Sequence, residues 1–143
     1  MILLTAAALA TAGCGDDDEA SSPAGAVEAY NEAVADGDGE RACGHLDQAA
    51  QEELRQATQG DARGSCPQII DLLSAFYDDA TKDRLRDAKV DAVTRGDRAT
   101  ARLNSPAGFG GPNREQTIEL RRVGDEWKIV SLGLTIETPP EAP

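Results

Sequence analysis

Aromatic residues are scarce in this 143-residue chain: Tyr30, Phe76, Tyr77, Phe109 and Trp127 are all it has. A core must therefore be built from aliphatic side chains, and the 40% apolar content is enough for one. Histidine occurs once, as His45, which leaves little room for imidazole-based catalysis. Positive charge is also short, with 14 Lys and Arg against 26 Asp and Glu and a net charge of −12. That balance argues against nucleic acid as a partner, because neutralising phosphates needs clustered Lys and Arg. The acids are unevenly placed: residues 16–19 carry four and the tail adds Glu137 and Glu141, and without these the net charge is −6. No apolar run reaches the roughly 20 residues a membrane-spanning helix needs. The length suits one domain and falls short of two.

Cysteines number three, an odd set. Cys14 stands apart at the N-terminal end, after the uncharged stretch "ILLTAAALATA" (residues 2–12), which has the length of the apolar part of a signal peptide. Thr11-Ala12-Gly13-Cys14 resembles a bacterial lipobox, in which small side chains admit an extended backbone to a peptidase and the cysteine thiol carries a diacylglycerol. The resemblance implies a signal peptide over residues 1–13, a lipidated Cys14, and a protein held to the cell membrane on its extracytoplasmic side. Two or three acyl chains at about 0.8 kcal/mol per buried CH₂ give a stable anchor. The basic residues that usually precede such a stretch are missing, so translation is expected to start upstream of Met1. After Cys14, "GDDDEASSP" is acidic, small and polar, as a disordered linker over residues 14–23 would be.

Export also accounts for the remaining cysteines. Outside the cytosol thiols oxidise, so Cys43 and Cys66, with 22 residues between them, are expected to form a disulfide. The alternative is a metal held by Cys43, His45 and Cys66. It has one residue between the first two ligands and lacks a fourth at suitable spacing. Neither a metal nor a cofactor is expected.

Downstream, the pattern begins as helix. Ser22 and Pro23 suit a cap and a first turn, and Val27, Tyr30 and Val34 share a face. "DGDG" at 36–39 breaks that helix, and Asp38 can cap a short successor. A polar helix from near Asp47 offers the core little beyond Ala50, Leu54 and Ala57. "SCPQ" reads as a capping box, followed by an apolar stripe of Ile69, Leu72, Leu73, Phe76 and Ala80. The period then becomes alternating. Strands are expected over 84–94, 98–104 (Ala99, Ala101 and Leu103 inward) and 114–123 (Ile118 and Leu120 inward), then through "WKIVSLGL". Helices followed by an antiparallel meander of about four strands make an α+β domain over residues 24–135, with a disordered tail over 136–143.

"AVEAYNEAVADGDGERACGHLD", a helix opening at Cys66 and a meander ending "VGDEWKIVSL" resemble small actinobacterial lipoproteins with a nuclear-transport-factor-2-like domain, the fold of the SnoaL and ketosteroid-isomerase-like proteins. The resemblance implies a curved antiparallel sheet wrapped around helices as a cone, often hollow and often dimeric through the sheet. Tyr30, Phe76 and Trp127 are then the candidate lining of the cavity. An isomerase would need a carboxylate base in an apolar pocket beside acidic donors. Asp87 and Asp91, four apart on the expected first strand, fall opposite Ala88, Val90 and Ala92 on its solvated side, and His45 has no nucleophile motif beside it. Catalysis is therefore not expected. The leading expectation is a membrane-anchored protein binding a small apolar or amphipathic ligand in the cone. The alternative is a protein-interaction domain in envelope signalling or assembly, using the open sheet face or the loop over 104–113, and an isomerase- or dehydratase-like enzyme comes third.

Overall fold

Each helix starts where a side-chain oxygen can take a backbone N–H that the helix itself leaves without a partner. In the computed structural model, which describes residues 21–58, 64–105 and 114–134, the Ser22 hydroxyl accepts the Gly25 N–H at 3.1 Å and Pro23 opens α1 (Pro23–Asp36). Asp38 caps α2 (Gly39–Gly44) and Asp47 caps α3 (Gln48–Ala57). Gln68 Oε1 accepts the Ser65 N–H at 3.0 Å, the return half of a capping box that opens α4 (Cys66–Phe76). Asp78 caps α5 (Asp79–Asp87). Strands β1 (Val90–Arg95), β2 (Arg98–Ser105), β3 (Arg114–Val123) and β4 (Glu126–Ser131) follow as an antiparallel meander in the order β1-β2-β3-β4. The fold is α+β. The apolar N-terminal stretch, Cys14, the linker as far as Ala20, the glycine-rich loop around Phe109 and the tail lie outside the described residues.

Helices cover one face of the sheet. Ala99, Ala101 and Leu103 of β2, Ile118 and Leu120 of β3, and Trp127 and Ile129 of β4 are buried together with Ala26, Val27, Ala33 and Val34 of α1. Val90 and Ala92 of β1 pack partly buried against the same cluster. Leu54, Ile69 and Ile70 complete the core from α3 and α4. The outer edge of β4 is covered too. The Ile129 N–H donates to the His45 carbonyl, and the Asp47 N–H donates to the Ile129 carbonyl, both at 2.9 Å. This short parallel bridge at Leu46 hides an edge that could otherwise recruit another strand.

Two elements differ from the sequence expectation. The strand expected from residue 84 begins at Val90, because the chain up to Asp87 forms α5. Nothing in α5 is buried, so it carries no apolar stripe to announce it. Its signals are electrostatic: Asp79 stands in the first turn and Arg84 and Arg86 in the last, each complementing the helix dipole. Arg86 also donates to Asp36 at 2.9 Å, and Arg41 donates to the same carboxylate at 2.8 Å. Asp36 thus ties the end of α1 to α2 and α5, and hydrogen bonds from Arg86 and then Arg41 hold its carboxyl below the usual aspartate range.

The second difference is the orientation of α4. Its buried residues are Cys66, Ile69, Ile70 and Ser74, while Leu72 is half exposed and Phe76 is 79% exposed. The expected stripe included both of these residues and Ala80, which lies exposed in α5 beyond the end of α4. Cys66 is cross-linked to Cys43 of α2, with 6.1 Å between their Cα atoms, which turns the 66, 70 and 74 positions inward. Gly39 lets the two helices meet, since its N–H donates to Asp71 Oδ1 at 2.9 Å and a Cβ there would run into the Pro67 carbonyl.

The polar helix α3 contributes through Glu53. Its carboxylate accepts the Leu134 N–H at 2.6 Å and the Leu132 N–H at 3.2 Å, holding the chain beyond β4. Gln116 Nε2 donates to the Leu132 carbonyl at 2.6 Å from the other side. Between them Gly133 adopts φ +66 against the Thr117 backbone, where a Cβ has no room.

Glu53→Ala leaves two partly buried N–H groups without their charged acceptor and is expected to lower stability by about 1.5–3 kcal/mol, read as a lower urea midpoint with unchanged slope. Reducing Cys43–Cys66 is expected to cost about 3 kcal/mol in the same measurement, from the loop entropy returned to the unfolded chain.

Candidate functional site

The three aromatic residues expected to line a cavity differ in their exposure. Trp127 is 5% exposed and part of the core, Tyr30 packs half-buried against that core, and Phe76 projects from the end of α4 into solvent. None of them lines the open clefts of about 670, 310 and 720 Å³ found among the described residues. Burial pushes the Tyr30 hydroxyl well above the ordinary tyrosine value of 10.0, with a further contribution from Tyr77, and burial raises Tyr77 as well. In the same helix as Tyr30, the buried Asn31 Nδ2 has no hydrogen-bond partner among the described residues.

The two candidate acids also separate. Asp87 ends α5 rather than sitting on a strand, and only Asp91 lies on the exposed side of β1. Asp87 lines an open cleft of about 670 Å³ with Glu28, Glu32, Arg86 and Lys89, a mixed-charge surface with no aromatic donor. His45 serves the sheet through its backbone carbonyl. Among the described residues, no group of three His, Cys, Asp or Glu side chains could hold a metal ion.

Strand alternation builds a different arrangement on the uncovered face. With Ala99, Ala101, Leu103, Ile118, Leu120, Trp127 and Ile129 directed to the core, their neighbours must point outward. The register pairs Arg95 with Arg98, Arg98 with Arg121, and Arg121 with Lys128. One cation from each of the four strands therefore stands in a single row across the outer face. Like charges directly opposite one another in an antiparallel pair are destabilising, where an opposite pair contributes roughly 0.2–1 kcal/mol.

Neighbouring acids leave three of the row's four cations without a partner among the described residues. Arg102 pairs with Glu115 at 3.5 Å and Lys128 pairs with Glu126 at 3.5 Å. Arg95, Arg98 and Arg121 have no carboxylate partner among the described residues, although the chain carries nearly two acids for each base. Two open clefts border the row. One, of about 310 Å³, includes Arg98, Thr100, Glu119 and Arg121, and the other, of about 720 Å³, includes Arg95, Arg98, Arg102 and Val93. Arg98 belongs to both. The alternation of 98–104 already implied that Arg98 and Arg102 point outward, and the tight turn at 96–97 sets Arg95 opposite Arg98, but nothing local shows that Arg121 flanks Arg98 on the other side. That depends on the pairing of β2 with β3.

The tyrosines give a test of the interior. A phenol whose folded pKa lies above its unfolded value contributes stability that is complete below pH 10 and is lost as pH rises through the folded value. The urea midpoint is expected to fall above pH 10, and Tyr30→Phe to flatten that fall. An alkaline stability curve that Tyr30→Phe leaves unchanged would show the hydroxyl to be solvated.

Comparison with protein-family models, with curated proteins and with solved structures returns no match. The functional reading rests on the side chains and their arrangement.

Proposed function

We propose that the chain is an exported lipoprotein, anchored through Cys14 to the extracytoplasmic side of the cell membrane, whose folded part is a non-catalytic binding domain of the nuclear-transport-factor-2-like kind. The observation that carries this reading is the cross-link between Cys43 and Cys66. A structural disulfide belongs to an oxidising compartment. It also takes both cysteines of the folded region, so that Cys14 alone is left for the lipid at the end of a small-residue tetrad. Helices laid over one face of a four-stranded meander are compatible with the proposed fold. Among the described residues no helix is long and apolar enough to cross a membrane.

Binding is assigned to the uncovered sheet face rather than to the interior of the cone. Trp127 belongs to the packed core, whereas the sheet face carries arginines without a carboxylate partner among the described residues, beside two clefts. This favours a ligand bound on the outer sheet face over a small apolar ligand held inside.

Intact mass measurement on protein extracted from its native membrane tests the anchor. The expected species begins at Cys14, carries acyl chains there, and alkylates at Cys43 and Cys66 only after reduction. A native protein with an unmodified Cys14, or with two thiols that react before reduction, would overturn the reading.

A further inference from the structure

We infer that the outer sheet face binds a linear, base-free phosphate polymer along the row Arg95–Arg98–Arg121–Lys128. The inference deepens the proposed function, since it rests on the reading of this face as the binding surface and names the ligand class. It does not depend on the anchor.

The row has the shape such a ligand needs. Strands lie about 4.8 Å apart, so four cations paired across four strands form a line on the order of 15 Å long. Guanidinium groups are the side chains best matched to phosphate oxygens, through parallel N–H donors. Arg95, Arg98 and Arg121 have those donors uncommitted to any carboxylate among the described residues. The net charge of the chain does not forbid an anionic ligand, because charges beyond about 8–10 Å are largely screened at physiological salt. What the ligand meets is the local row.

Other polyanions fit less well. A membrane surface would need positive charge over the whole face, but Asp91, Glu115, Glu119 and Glu126 share it. Only the row is uniformly cationic, and a line of charge suits a chain rather than a plane. Single-stranded nucleic acid gains much of its affinity by stacking bases on aromatic side chains. The outward positions of this face offer Val93, Thr100, Thr117 and Val123 and no aromatic residue among those described. A second copy turned face to face would bring one row of cations toward another.

Titration calorimetry of the purified chain with short-chain inorganic polyphosphate tests the inference. With about three charges neutralised, affinity is expected to fall about twentyfold for a fourfold rise in salt. Arg98→Glu is expected to weaken binding by at least about tenfold and to reduce the salt slope by about one. Because that substitution sets an acid between Arg95 and Arg121, the Tm is expected to hold or rise, which separates lost binding from lost fold. Arg84→Glu, an equal charge change on α5, is expected to leave binding nearly unchanged.

Absence of polyphosphate binding by the unaltered chain would overturn the inference, as would an equal loss in Arg84→Glu. Tighter binding to single-stranded DNA or to phosphatidylglycerol vesicles would overturn it in favour of those partners, and a concentration-dependent dimer abolished by Arg98→Glu would favour self-association. None of these outcomes alters the acyl mass on Cys14, so the anchor and the ligand class fail independently.

Discussion

The register of the four-stranded meander is the constraint on which the rest depends. Side chains alternate between faces with a period of two, so a slip of one residue would exchange Ala99, Ala101 and Leu103 with Arg98, Thr100 and Arg102. Charges would then enter the core, and no arrangement of the helices could offset that. Burial of Ile118, Leu120, Trp127 and Ile129 under α1 therefore sets more than the interior. The same register decides which cations stand together outside. Core and candidate binding face are two sides of one set of strand pairings.

Around that sheet the helices are held by local and often polar devices. Val27 and Val34 give α1 an apolar face, α3 adds Ala50 and Leu54 to the core, and polar contacts tie down both α3 and α5. Glu53 on α3 reaches backbone donors beyond β4, and Arg86 on α5 reaches Asp36 at the end of α1. The α2–α4 pair is held covalently through Cys43 and Cys66, with Gly39 permitting close approach. A small domain poor in aromatics has limited apolar area to bury, and a cross-link constrains the unfolded chain where extra core is not available.

The surface shows an opposite economy. Three adjacent arginines without carboxylate partners among the described residues are an arrangement that stability alone would not select, and exchanging one for an acid is a simple way to relieve it. Binding sites commonly retain such local costs because the ligand supplies the missing partner. That cost, rather than a cavity or a catalytic constellation, is why the outer face is taken as functional.

Much of the fold was legible because it is encoded locally. Caps at Ser22, Asp38, Asp47 and Ser65 are short-range hydrogen-bonding signals, and the alternation in β2 and β3 follows from strand geometry. The pairing of Cys43 with Cys66 followed from counting cysteines on either side of a lipobox-like seam. Helix α5 was hidden because its evidence is electrostatic, and a polar helix produces no apolar period. The inward face of α4 was hidden because two overlapping stripes compete there, Leu72 and Phe76 against Cys66, Ile70 and Ser74. Sequence alone determined helices α1 to α4, the meander and the pairing of Cys43 with Cys66. Tertiary structure decided which face of α4 turns inward, through a bond to a residue 23 positions away. It also decided that Arg95, Arg98, Arg121 and Lys128 form one row, because only strand pairing brings together cations that the chain keeps apart.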